Sequence, residues 1–228
     1  MNVSLPEPDE ARVPRTKVAL LGTLGELHAE GLRYDLARLR SLVETLEPDL
    51  LGVQAEPATW DSDDADVQLL EVRAALVPGA RLTDTVVIPL GAPTPGELAL
   101  PESGELAELR ARVIRAADGL LNGLGRLVDS PEGVSRGAYI HLCGLICHVE
   151  AAAAGDAGRR AWQATNERIL ERLLEAIRRN PGRRVLVAIQ CRRIHWLETR
   201  LRALTSEIEL VPFERLIDVD RPHPSAPA

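Results

Sequence analysis

Lys17-Val18-Ala19-Leu20-Leu21-Gly22 reads as a strand, Thr23-Leu24-Gly25-Glu26-Leu27-His28 as a glycine-broken loop after it, and Leu50-Leu51-Gly52-Val53-Gln54 as a second apolar strand closed by Ala55-Glu56-Pro57. Between them, Leu36, Leu39, Leu42, Val43 and Leu46 recur at spacings of three and four, the stripe of a helix that lies on a sheet. Pro48 stops that helix. Strands that are apolar almost throughout are those of a parallel sheet covered on both faces. Ligands of open α/β sheets bind beyond the carboxyl ends of the strands, so this order brings His28, Gln54 and Glu56 to one rim.

Outward from this unit, Asp61-Ser62-Asp63-Asp64 reads as the acidic start of a helix whose apolar positions are Val67, Leu70, Val72, Ala75 and Leu76. Thr83 to Leu90 is a third strand, and Gly91 to Gly104 a connection rich in Pro and Gly. Helices are predicted over Glu105–Ala117, Leu120–Val128, Ala138–Ala154 and Ala161–Arg179. Arg183 to Gln190 is the next clear strand, Trp196 to Leu204 the helix behind it, and Glu207 to Phe213 alternates as an edge strand does. The fold class is α/β, a mainly parallel or mixed central sheet flanked by helices, with a largely helical insertion at about 105–180. One domain is expected over 16–217, after a Pro-rich disordered arm (1–15) and before a loose tail (218–228).

Composition narrows the function. Aromatic residues are 3% of the chain, too few for base stacking, and a net charge of −7 without a basic block gives a phosphate backbone nothing to hold. Nucleic acid is therefore not expected as a partner. No signal-peptide core and no apolar run of bilayer-spanning length is evident, which predicts a cytoplasmic protein with no membrane partner. Cys143, Cys147 and Cys191 fit a reducing compartment, as small buried hydrophobes without disulfides.

Four stretches carry candidate chemistry. The loop at Gly22 to His28 lacks the third glycine of a dinucleotide fingerprint, and Glu56 lies too far on to serve as its ribose acid. His28 is placed either as a metal ligand or general base, or as an ordinary loop histidine. His141-Leu142-Cys143-Gly144-Leu145-Ile146-Cys147-His148 resembles a zinc cluster, but on a helix its cysteines share one face and its histidines another. A buried helix is the expectation there. Asn166 falls inside the apolar stripe of Trp162, Ile169, Leu173 and Ile177, where an unpaired amide costs about 1 to 3 kcal/mol, so it needs a partner. Gln190-Cys191-Arg192-Arg193-Ile194-His195 repeats the pattern of a strand end followed by histidine, and two such histidines could share a metal if their strands are neighbours.

These motifs resemble the TraB/PrgY superfamily, with its Tiki-type, ChaN-like and erythromycin-esterase-like relatives. The resemblance rests on Gly22-Thr23 with Gly25-Glu26-Leu27-His28, on Pro48-Asp49 before Leu50 to Gln54, on Thr165-Asn166, and on Val185 to Gln190 before Arg192-Arg193-Ile194-His195. It implies a divalent-metal-dependent hydrolase of a small molecule or peptide, using Mn, Co or Zn. By that resemblance His28 and His195 hold the ion, Glu56 is a ligand or the base for its water, and Asn166 or Arg193 steadies the oxyanion. The chain departs from the pattern at Gln54, Thr165 and Arg192, where the family has Glu, Arg and Gly. Gln is a poor transition-metal ligand and no base, which opens the alternative of a non-catalytic small-ligand-binding or regulatory protein with a degenerate metal site. Monomer and homodimer both remain open.

Overall fold

A computed structural model describes residues 15–60, 68–91, 105–128, 130–204 and 206–217. Five parallel strands form one sheet in the order β3-β2-β4-β1-β5: β1 is Thr16–Thr23, β2 Leu50–Val53, β3 Val86–Pro89, β4 Arg184–Gln190 and β5 Ile208–Leu210. The sheet is thus wholly parallel. Its central strands carry Val18, Ala19, Leu21, Leu51, Val53, Val185, Leu186 and Val187 with no exposed surface, which explains the unbroken apolar runs.

Connections from β1 and β4 leave in opposite directions. Helix α1 (Leu36–Leu46) carries the chain from β1 past β4 to β2, while α6 (Cys191–Arg202) carries it from β4 past β1 to β5. Right-handed crossovers running opposite ways put their helices on opposite faces. Accordingly Leu39, Val43 and Leu46 of α1 pack with Ala19, Leu21, Leu51 and Leu186, whereas Ile194, Leu197 and Leu201 of α6 pack with Val18, Leu20, Val185 and Val187. Strands β1 and β4 are neighbours, Thr23 opposite Gln190, so the point where the winding reverses lies at their carboxyl ends.

Local chemistry sets the element ends. Asp35 caps α1 by accepting the Arg38 N–H at 2.8 Å, and Glu47 closes it in the left-handed region at φ 40°. A π turn, Val72–Leu76, runs into the single helical turn α2 (Val77–Ala80). Residues 61–64, read as an acidic cap, and most of the Gly91 to Gly104 connection lie outside the described residues.

Helix α3 (Glu105–Leu127) runs unbroken where two helices were expected, because Gly119 and Gly123 keep helical geometry with open space around them. After the short α4 (Pro131–Ser135), α5 spans Ala138–Arg179 but is broken at Gly155, where φ 75° and ψ −167° are open only to glycine. Its first half packs on α3. Its second half lays Ile169, Leu173 and Ile177 on the α6 face of the sheet. By length and composition α5 could cross a bilayer, contrary to the sequence reading, and 44% of its most apolar window is buried inside the fold.

Helix α6 starts at Cys191, five residues before the predicted Trp196. Arg192, Arg193 and His195 therefore lie on its first turns rather than in a loop.

Candidate site at the carboxyl edge of the sheet

Polar side chains gather where β1, β2, β3 and β4 end. The Gln54 side-chain oxygen accepts the backbone N–H of Gln190, which ties the end of β2 to that of β4. Thr23 donates its hydroxyl to Glu71 at 3.1 Å. Burial pushes the Glu71 carboxyl up from its ordinary value, offset in part by hydrogen bonds from Thr23 and Gln190. The edge thus holds a protonatable carboxyl beside two amides.

On the α6 face, Asn166 and Arg193 meet. Arg193 is 3% exposed and donates through its guanidinium to the Asn166 side-chain oxygen, so the partner that Asn166 requires comes from the first turn of α6. One helical stripe further along α5, Arg172 bonds the Leu90 carbonyl at 3.3 Å and the Glu56 carboxylate at 3.4 Å. Glu56 does stand at the rim, held in an ion pair. The side-chain NH2 groups of Gln54 and Asn166 are buried and have no hydrogen-bond partner among the described residues. An unmatched buried donor costs about 1 to 3 kcal/mol, so each of the two NH2 groups calls for an acceptor.

The two histidines do not join this group. Leu24 donates its N–H to Nε2 of His28 at 2.9 Å, and Nδ1 lies 2.8 Å from the Tyr34 carbonyl, which fixes the proton on Nδ1. Both ring nitrogens are thus engaged, leaving no lone pair for a metal. Burial lowers the His28 pKa, against the opposing pull of the Tyr34 carbonyl and Asp35. Tyr34 itself donates to the Gly22 carbonyl at 2.8 Å, so the pair braces the loop onto the end of β1.

His195 sits in the other layer, with its ring 5.4 Å from that of His141 in edge-to-face contact. It lines an open groove of about 510 Å³ with Arg136, Ile140, Glu198 and Thr199. The parent strands are neighbours, as a shared ion would need, but the side chains have different partners. Among the described residues no three His, Cys, Asp or Glu side chains cluster as a metal site. The donor set does not fit the ion that the resemblance implies.

Of the residues singled out by sequence, Gln54, Glu56, Asn166 and Arg193 have polar partners at the carboxyl edge, whereas His28 braces the loop after β1 and His195 packs against His141. Sequence reading quoted Thr23 and Gln190 within its motifs without giving them a role, and passed over Glu71 and Arg172. Arg172 had a signal, since it borders the apolar stripe six residues beyond Asn166. Glu71 had none, because a lone Glu in an amphipathic segment reads as solvent-facing. No protein-family model, curated protein or solved structure matches the chain.

Proposed function

We propose that this chain binds a small carboxylate-bearing ligand at the carboxyl edge of its sheet, without metal chemistry. The observation that carries this reading is the pair of buried, unmatched NH2 groups on Gln54 and Asn166. Both amides use their oxygens internally, toward Gln190 N–H and Arg193, so what they offer a ligand is donors alone. A carboxylate accepts from two such donors at once. Gln54 stands where the resembling family has Glu, which turns an acceptor into a donor and suits an anionic ligand rather than a cation. Glu71, whose carboxyl burial pushes up from its ordinary value, stands at the same edge.

The test is a thermal-shift screen of small mono- and dicarboxylic acids, followed by calorimetry on the best acid with Gln54→Glu and Asn166→Asp. Each change keeps the internal acceptor and removes the donor. At least a tenfold loss of affinity in both variants is expected, a single lost charge-assisted hydrogen bond being worth about 1.5 to 3 kcal/mol. No shift with any acid, or binding that survives both changes, would overturn the reading. So would near-stoichiometric Mn, Co or Zn in the purified protein that His28→Ala or His195→Ala removes.

A further inference from the structure

The two halves of α5 face solvent with different chemistry. Beyond Gly155 the exposed positions include Glu167, Arg168, Glu171 and Glu175, as on an ordinary solvated helix. Between Ala138 and Gly155 the one Asp, Glu, Lys or Arg is Glu150, which is buried and accepts from Arg192. The outward face of this first half is Ala138, Leu142, Leu145, Val149 and Ala152, flanked by His141 and His148. Leu142 is 43% exposed, Leu145 62% and Val149 45%.

Those five positions follow one another at intervals of four, three, four and three residues, the a/d seam of a coiled coil rather than the broader stripe a helix lays on a sheet. The side that α5 turns to the core is another one, carrying Tyr139, Cys143 and Ile146. A single chain therefore packs one apolar face of this half-helix and leaves a second, narrower one uncovered.

We propose that the chain forms a two-fold symmetric dimer in which the first half of α5 packs antiparallel on the same half of a second copy. The order of side-chain sizes selects this occupant. Read in either direction the seam runs small, large, large, large, small, with Ala138 and Ala152 at its ends and Leu145 at its centre. An antiparallel copy thus presents the same order, which is the self-complementarity that an isologous contact demands. Charge agrees with size. The seam is uncharged, so two chains of net charge −7 meet there without setting like charges against each other. A lipid surface suits the face less well, because the flanks are histidines where helices that lie on anionic bilayers carry Lys and Arg.

The experiment is sedimentation equilibrium of the full chain at neutral pH, from about 1 to 100 μM, beside Leu145→Glu and Leu82→Glu. The unsubstituted chain is expected to reach twice its own mass. Leu145→Glu puts a carboxylate at the centre of the seam and should weaken the dimer about thirtyfold or more, the effect of losing a hot-spot contact. Leu82, 63% exposed in the turn before β3, lies off the seam, and its variant should assemble as the parent does. An unchanged circular dichroism spectrum separates lost assembly from lost folding. Orientation is read with a short bismaleimide, which should join Ala138→Cys chains to Ala152→Cys chains in a mixture and leave either variant alone unlinked. A monomer throughout the range, a dimer that Leu145→Glu leaves intact, or linking of Ala138→Cys to itself would each overturn the proposal. So would a monomer that floats with phosphatidylcholine and phosphatidylserine vesicles and loses them on Leu145→Glu, since the seam would then be a lipid-binding face.

Discussion

His28 shows how little a residue type says about its task. Its two nitrogens join the Leu24 N–H to the Tyr34 carbonyl, so it closes the turn after β1 as an internal brace. His28→Ala should leave that N–H and that carbonyl unmatched inside the protein, with an expected loss of about 2 to 3 kcal/mol in urea denaturation at pH 7.5. The pH dependence has a definite sign. Because the folded pKa lies below 6.5, the unfolded chain takes up a proton first, and stability falls as pH drops from 6.5 to the folded value. Part of the fall in stability between pH 7.5 and 5.5 should therefore vanish in His28→Ala. An unchanged difference between the two pH values would show that His28 is not the brace described.

At the scale of elements, close approach decides where helices can sit. A methyl group on Gly22 would lie 2.7 Å from the Val134 side chain and carbonyl and 2.8 Å from Ile194, so α4 and α6 both rest against bare backbone at the end of β1. Gly22→Ala should overpack this junction and cost about 1 to 3 kcal/mol, read from the urea midpoint with an unchanged slope. A variant as stable as the parent would mean that α4 is free to shift. Gly155 acts differently. It turns one 42-residue helical run into two arms, one over the carboxyl edge with α3 and one along the sheet, and the second arm delivers Asn166 and Arg172 to the rim.

The molecule as a whole is latched at the amino end of its sheet by Arg184. Its guanidinium bonds both Asp49 oxygens, the carbonyls of Leu46 and Glu47 at the end of α1, and the carbonyl of Leu216 near the end of the described chain. One side chain thus joins β4, β2, α1 and the final turn. Burial alone would raise the Asp49 pKa, but the backbone and side-chain hydrogen bonds and charge of Arg184 hold it below its ordinary value. That stabilisation is complete above the unfolded value near 3.8 and is lost as pH falls through the folded one. Arg184→Ala should cost about 3 kcal/mol at neutral pH and flatten the acid limb of the stability curve, measured by denaturation from pH 7 to 3. A neutral effect would show the latch to be incidental.

What the sequence by itself determined is the local part: the apolar runs of β1, β2 and β4, the stripe of α1, the largely helical middle, and the need of Asn166 for a partner. These follow from hydrophobic period and from the cost of burying a lone amide, which depend on neighbours along the chain. It misplaced the start of α6, because Arg192-Arg193 reads as solvent-facing until Asp118, Glu150 and Asn166 are brought against it from α3 and α5. The tertiary structure alone decided that Arg193 answers Asn166, that neighbouring strands carry histidines with separate partners, and that Arg172 meets Glu56. Each of these depends on crossovers that set the face on which a side chain emerges, and crossover direction is a property of the sheet rather than of any stretch within it.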